Sequence, residues 1–169
     1  MTIWFTGLSA SGKSTLSERL FLKLKDDGIS NIVLLDGESV REKLEHYKYD
    51  TNDRNEIGIM KSNLALDYIK KENHVIITGI AHHRETRDKI RKMFPHYYEI
   101  YLKCDVDVCA SRDYKGNYKQ AINGKYNNFV GITEQYQESN PELVIETGNK
   151  TIEECLSIII INVKEYFNK

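Results

Sequence analysis

The sequence predicts an α/β fold, a parallel β-sheet with helices packed on both faces. Three observations predict it. Short, continuous apolar runs recur along the chain and read as strands buried on both faces. Stretches with helical spacing separate them, the alternation that builds a parallel sheet. The first apolar run ends in a glycine-rich turn that leads straight into a helix. With 169 residues, two prolines and no repeat, linker or break in composition, residues 1–169 read as one domain.

Ile3–Thr6 is the first strand. Ser14–Asp26 follows as a helix with Leu16, Leu20, Leu22 and Leu24 among its apolar positions, and Gly28 just past its end supplies a stop. Ile32–Leu35 is a second strand and Val40–Leu44 a short helix. Asn55–Lys71 is a longer helix carrying Ile59, Leu64, Leu66 and Ile69. Val75–Ile77 is the third strand, Arg84–Met93 a helix, Tyr98–Leu102 the fourth strand and Val106–Ser111 a short helix. Leu143–Ile145 is the fifth strand and Ile152–Phe167 the last helix. Ligands of such sheets bind at the carboxyl ends of the strands, which singles out Gly7, Asp36, Gly79 and Lys103. Residues 112–133 fit no element. They are polar, rich in Gly, Asn, Lys and Tyr, and weakly periodic. An unstructured stretch that long in a compact domain is commonly functional, and we read it as a lid.

Composition removes whole classes of function. The net charge is −1, from 24 basic and 25 acidic residues. There is no basic stripe for a nucleic acid and no polybasic patch for a membrane, so any anion must be held locally. Cys104, Cys109 and Cys155 form no C-x-x-C pair, which argues against a zinc ribbon. So sparse and odd a set reads as reduced thiols in a cytoplasmic protein. The first residues carry no basic n-region and read as no signal peptide. The longest apolar run, Ile158 to Ile161, is far short of the ~20 residues a membrane helix needs.

Gly7-Leu8-Ser9-Ala10-Ser11-Gly12-Lys13-Ser14 fits G-x-x-x-x-G-K-[ST], between a strand and a helix as the motif requires. The glycines allow a tight loop whose N–H groups converge on phosphate, and the helix adds its positive end. Lys13 reaches the β- and γ-phosphates, and Ser14 ligates Mg²⁺. Gly7, Ser9, Ala10, Ser11, Gly12, Lys13, Ser14 and Thr15 are thus candidate nucleotide contacts. The chain has no N-K-x-D segment for guanine (Asn149-Lys150-Thr151-Ile152 lacks the acid), so the nucleotide is expected to be ATP. Asp36 ends the second strand. An acid there can sit beside Mg²⁺ and take the proton of an attacking hydroxyl, and it can also cap a helix.

These residues resemble a family. Trp4-Phe5-Thr6-Gly7-Leu8-Ser9-Ala10-Ser11-Gly12-Lys13-Ser14-Thr15 looks like the opening of adenylyl-sulfate (APS) kinases. Asp36-Gly37-Glu38-x-x-Arg41 is similar to their D-G-D-x-x-R. Arg112-Asp113-x-Lys115-Gly116-x-Tyr118-Lys119, Phe129-Val130-Gly131-Ile132 and Pro141-Glu142-Leu143 resemble R-D-P-K-G-L-Y-K, F-T-G-I and P-E-L in order and spacing. The resemblance implies a P-loop kinase fold, a central five-stranded parallel sheet flanked by helices, with a mobile lid. It implies transfer of the ATP γ-phosphate to a nucleotide ribose 3′-hydroxyl, and a homodimer, with Ile158–Ile161 as a core or dimer-contact segment. By matching positions it makes Asp36 the catalytic acid/base and a metal residue with Ser14. Arg41 and Arg54 hold the acceptor's 5′-phosphate side, Lys119 contacts acceptor or phosphates, and Arg112 lies against ATP. Phe129 and Tyr49 stack on the acceptor base, a contact that tolerates different bases.

The departures gather on the acceptor side. Where the family pattern runs R-x-E-N-I-R-R, this chain reads Arg54-Asn55-Glu56-Ile57-Gly58-Ile59-Met60. Where it has I-S-P-Y, this chain has Ile80-Ala81-His82-His83, which makes Ile80, Ala81 and His82 candidate acceptor contacts. The overall look is most similar to the cytidine diphosphoramidate kinase branch, which serves capsular phosphoramidate synthesis. The choice of cytosine over adenine comes from that resemblance and not from any spacing. APS remains the alternative acceptor, and a nucleotide-binding module without turnover the alternative class. Adjacent His82 and His83 point apart and lack a third ligand for a metal. Cys104 has no His partner for a nucleophile.

Overall fold

In the computed structural model, the structure describes residues 1–37, Val40 and 51–167, the side chains of 51–53 and 167 excepted. The strands are β1 (Thr2–Gly7), β2 (Ile32–Leu35), β3 (His74–Thr78), β4 (Tyr97–Lys103) and β5 (Leu143–Glu146). The helices are α1 (Lys13–Asp26), α2 (Thr51–Ile69), α3 (Arg84–Met93), α4 (Val106–Arg112), α5 (Asn117–Ile122) and α6 (Ile152–Phe167). The five strands form one parallel sheet in the order β2-β3-β1-β4-β5. Of the anticipated helix Val40–Leu44, only Val40 lies within the described residues, and Arg41 and Tyr49 lie outside them.

All six residues of β1 are buried, because β1 is the middle strand and both its faces are covered. Side chains alternate across a strand, so Ile3 and Phe5 join Leu16, Leu20 and Leu24 of α1 and Ile159 and Val163 of α6. Trp4 points the other way, into a cluster with Ala65 of α2 and Ile90 of α3. Helix α1 ends as Gly28 suggested: Ile29 N donates to Leu24 O and Gly28 N to Lys25 O, both at 3.0 Å, with Gly28 at φ +95°. That pair of bonds closes a helix around a left-handed residue.

The stretch 112–133 is not without structure. Gly116, at φ +70°, opens the short helix α5. Tyr118 and Ala121 turn inward, and Tyr118 packs with Leu8, Cys109 and Val130. With so few apolar positions, two turns at most face the core, too little for a period to show in the sequence. Helix α2 begins at Thr51, four residues before the sequence suggested.

An ion-pair network braces the far side of the sheet. Arg87 is fully buried and lies 3.4 Å from Glu99, itself buried in β4. Arg87 also donates to the carbonyls of Ala81 and Gln137, and its guanidinium stacks 4.8 Å over Tyr136. Ala81 sits at φ +41°, unfavourable for a residue with a β-carbon. The Arg87 clamp and the bond from Gln137 N to His82 O, 3.0 Å, hold it there. Glu99 would keep Arg91 at 3.5 Å and Ser139 at 2.8 Å, but the buried carbonyls of Ala81 and Gln137 would lose their donor and Glu99 its closest cation, so Arg87→Ala is expected to cost about 3 kcal/mol in urea unfolding. Arg84→Ala, at an exposed pair with Asp88, is expected to cost under ~1 kcal/mol. Equal losses would contradict this assignment.

Candidate active site

The carboxyl ends of the strands open into a cleft of about 1040 Å³, at the upper end of ligand pockets and roomy enough for two nucleotides. The P-loop forms its floor. Gly7 sits at φ +140°, and a β-carbon there would lie 2.5 Å from Leu102 O and 2.9 Å from Ser11 Oγ, so only glycine fits. Gly12, at φ +101°, turns the chain into α1, whose first turn carries no acidic residue. The helix end therefore presents uncompensated positive charge to the cleft. The Ser11 hydroxyl in the loop is buried without a hydrogen-bond partner.

Lys13 folds back and donates to Leu8 O within its own loop. Burial pushes its ammonium from the usual 10.5 down to about 8, against the opposing pull of Cys109 and Asp36. Phosphate oxygens are a stronger acceptor for that ammonium than a neutral carbonyl.

The Asp36 carboxylate is the junction of the site. Its Oδ1 accepts from Ser14 Oγ and from Thr78 Oγ1, both at 2.8 Å. Thr78 Oγ1 in turn accepts from Gly37 N at 2.9 Å. The Asp36 carbonyl accepts from Val40 N at 3.1 Å. The Asp36 side chain faces the P-loop. Ser14 Oγ and Asp36 Oδ1 are adjacent hard oxygen donors, the kind of pair Mg²⁺ takes together with substrate phosphates. Among the described residues no group of three or more His, Cys, Asp or Glu could hold a metal by itself, so the donor set fits a metal that arrives with a nucleotide.

Arg112 lies at one end of the cleft and donates to Thr147 O at 2.8 Å. Thr147 Oγ1 donates to Ser11 O at 3.0 Å. The loop between β5 and α6, with Lys150, Thr151 and Ile152, completes that wall. At the other end stand Arg54, Ile57, Gly58 and Lys61 of α2, with Ile80 and Ala81 after β3 and Phe129 opposite. Phe129 meets Tyr118 edge-on at 4.9 Å and lies parallel to Tyr126 at 6.0 Å. Tyr118 Oη donates to Ser9 O at 3.0 Å, tying the segment directly to the P-loop. Arg54 donates to Asn128 O and lies 3.5 Å from Glu134.

The cleft gathers Ser9 through Thr15, Asp36, Arg54, Ile80, Ala81, Arg112 and Phe129 of the residues singled out from the sequence. Three others, Gly7, Lys119 and His82, are not part of its wall. Lys119 follows the inward Tyr118 on a short helix and is therefore turned to solvent. His82 is buried, with Nε2 2.7 Å from Glu134 Oε2. Burial first, and then its neighbour His83, push the imidazole down to about 4, so it is neutral at ordinary pH. Sequence reasoning missed Thr78 and Lys61. Thr78 is one residue before the flagged Gly79, and Lys61 shares the helical face of Arg54, Ile57 and Gly58.

A profile of the adenylylsulphate kinase family matches residues 1–146. A cytidine diphosphoramidate kinase of Campylobacter jejuni is 36% identical over 159 residues, 94% of this chain and 93% of that protein. An adenylyl-sulfate kinase of Bacillus velezensis is 37% identical over 166 residues, 96% of this chain and 84% of that protein. The solved structure of the Mycobacterium tuberculosis APS kinase in complex with AMPPNP and APS matches with a TM-score of 0.87. Identity there is 30%, with 96% of each chain covered.

The state of Lys13 gives a pH dependence. A bound triphosphate favours the ammonium form and raises its affinity for protons, so binding takes up a proton wherever the free protein has lost it. The free group titrates near 8. Above that pH, affinity for a triphosphate is expected to fall roughly tenfold per unit. Calorimetry at pH 9 in buffers of different protonation enthalpy, with the Mg²⁺ complex of a non-hydrolysable ATP analogue, is expected to show uptake of close to one proton. No uptake at pH 9 would refute the assignment.

Proposed function

We infer the reaction from family membership: this chain belongs to the adenylylsulphate kinase family. It is a phosphotransferase with a hydroxyl acceptor, a nucleotide kinase of the P-loop fold that works with ATP and Mg²⁺. We propose that it phosphorylates the ribose 3′-hydroxyl of cytidine 5′-diphosphoramidate, a step of capsular phosphoramidate synthesis. The observation that carries the choice is the division of the cleft. The phosphate half keeps the P-loop, Asp36 and Arg112, while the acceptor half sets Ile57, Gly58 and Ala81 beside Arg54 and Lys61. Ile57 stands where the family pattern has Asn, and the two arginines of that pattern are Ile59 and Met60 here. The Campylobacter relative supports the same reading. Adenylyl sulfate is the second reading, favoured by the Bacillus relative.

In this mechanism Lys13 leaves Leu8 O for the β- and γ-phosphate oxygens. Ser14 and Asp36 would hold Mg²⁺, which would supply charge neutralisation for the phosphates. Asp36 takes the proton of the 3′-hydroxyl as its oxygen attacks the γ-phosphorus, and the bond from that phosphorus to the bridging oxygen of ADP breaks. Arg54 faces the acceptor's 5′-phosphoryl side. Phe129 stacks on its base, and residues 112–133 close as a lid that excludes water. The same reading gives a cytoplasmic homodimer. Cys104, Cys109 and Cys155 are free thiols, no described helix is long and apolar enough to cross a membrane, and Ile161 stands 60% exposed on α6.

Turnover of ATP with Mg²⁺ on the two acceptors side by side tests the choice, with Asp36→Ala as the control. The expected result is a kcat/KM for cytidine 5′-diphosphoramidate at least tenfold above that for adenylyl sulfate, lost in the control. A preference for adenylyl sulfate overturns the acceptor. No turnover of either favours a nucleotide-binding module.

A further inference from the structure

Lys61 is a lysine in a place that rewards an apolar side chain. It is 4% exposed, on a face of α2 shared with Arg54, Ile57 and Gly58, and it lines the cleft. Residues at that spacing stack over successive turns of one helix face. Ala65, one turn on, and Trp4, which meets Gly79 beside the Lys61 ammonium, belong to an apolar cluster, and taking an ammonium out of water beside them is unfavourable.

The surroundings are shaped to admit it. Nζ donates to Thr78 O at 3.0 Å. A β-carbon on Gly37 would lie 3.3 Å from Nζ, and one on Gly79 3.8 Å from it. Neither glycine has the left-handed backbone that would itself demand glycine, so these two positions give space rather than a turn. Gly37 follows Asp36 and Gly79 follows Thr78, which puts the ammonium at the carboxyl ends of β2 and β3, beside the carboxylate. Thr78 joins the two groups, since its carbonyl accepts from Lys61 and its hydroxyl donates to Asp36.

We propose that Lys61 is a catalytic residue of phosphoryl transfer, its ammonium contacting the phosphoryl oxygens from the acceptor side as Lys13 does from the ATP side. The inference rests on the kinase reading above. In the step, the phosphorus–oxygen bond to ADP breaks and the bond to the acceptor oxygen forms. The hydroxyl proton passes to Asp36, and Lys61 keeps its own proton throughout. A fixed cation aimed at developing charge accelerates the chemistry without strengthening ground-state binding. This also supplies, from the same helix, positive charge that Ile59 and Met60 do not provide.

Two variants separate charge from structure. Lys61→Gln keeps an N–H donor for the Thr78 carbonyl and loses the charge, while Lys61→Met loses both. We expect both to lower kcat at least 100-fold on whichever of the two nucleotides the wild type phosphorylates. The KM for ATP, the affinity for AMPPNP and the melting temperature of Lys61→Gln are expected to stay near wild type, with the first two within threefold. Lys61→Gln with kcat within threefold of wild type overturns the proposal and leaves the kinase reading intact. So does a loss of kcat matched by a loss of AMPPNP affinity or of melting temperature, which would mark Lys61 as structural. A wild type inactive on both nucleotides overturns the kinase reading and this inference together.

Discussion

One carboxylate oxygen holds the site together. Oδ1 of Asp36 accepts hydrogen bonds from Ser14, in the first turn of the P-loop helix, and from Thr78, the last residue of β3. Those two donors belong to different halves of the cleft, one on the phosphate side and one on the acceptor side. Because β3 lies between β2 and β1, the parallel order brings the three strand ends into reach of a single side chain. Charge-assisted bonds are the strong ones, and here they fix a base candidate, a metal-ligand candidate and the strand edge in one geometry.

The rest of the molecule supports that junction from outside. Leu8, Cys109, Tyr118 and Val130 pack the segment after α4 onto the P-loop, and the Tyr118 hydroxyl bonds to Ser9 O. Arg54 reaches across from α2 to Asn128 and Glu134, and Glu134 also lies against buried His82. Arg87 pins the strained backbone at Ala81 from behind. That end of the cleft is thus framed by side chains that hold one another, and its wall mixes Ile57, Ile80 and Ala81 with the cations Arg54 and Lys61.

The P-loop, Asp36 and the five strands were legible because each rests on local chemistry: glycine spacing, an acid after an apolar run, continuous burial of central strands. Thr78 was not legible, because a threonine ending a strand is ordinary until the neighbouring strand's carboxylate is seen beside it. Lys61 was hidden for a related reason. A lysine in a mixed helix reads as solvent-facing, and only tertiary packing, with Gly37 and Gly79 left bare, reveals its direction. The short helix α5 was lost among polar residues because a single aromatic, Tyr118, carries most of its burial. Lys119 illustrates the converse. A position matched by motif alone is exposed and does not line the cleft, while its neighbour Tyr118 is buried.

The central claim is that this junction passes a phosphoryl group from ATP to a ribose 3′-hydroxyl. Phosphorus NMR of the product formed from ATP, Mg²⁺ and a nucleotide acceptor tests it most directly. A new phosphomonoester signal whose proton coupling runs to the ribose H3′ is expected. Coupling to H2′ instead, or inorganic phosphate as the only new signal besides those of ADP, would contradict it.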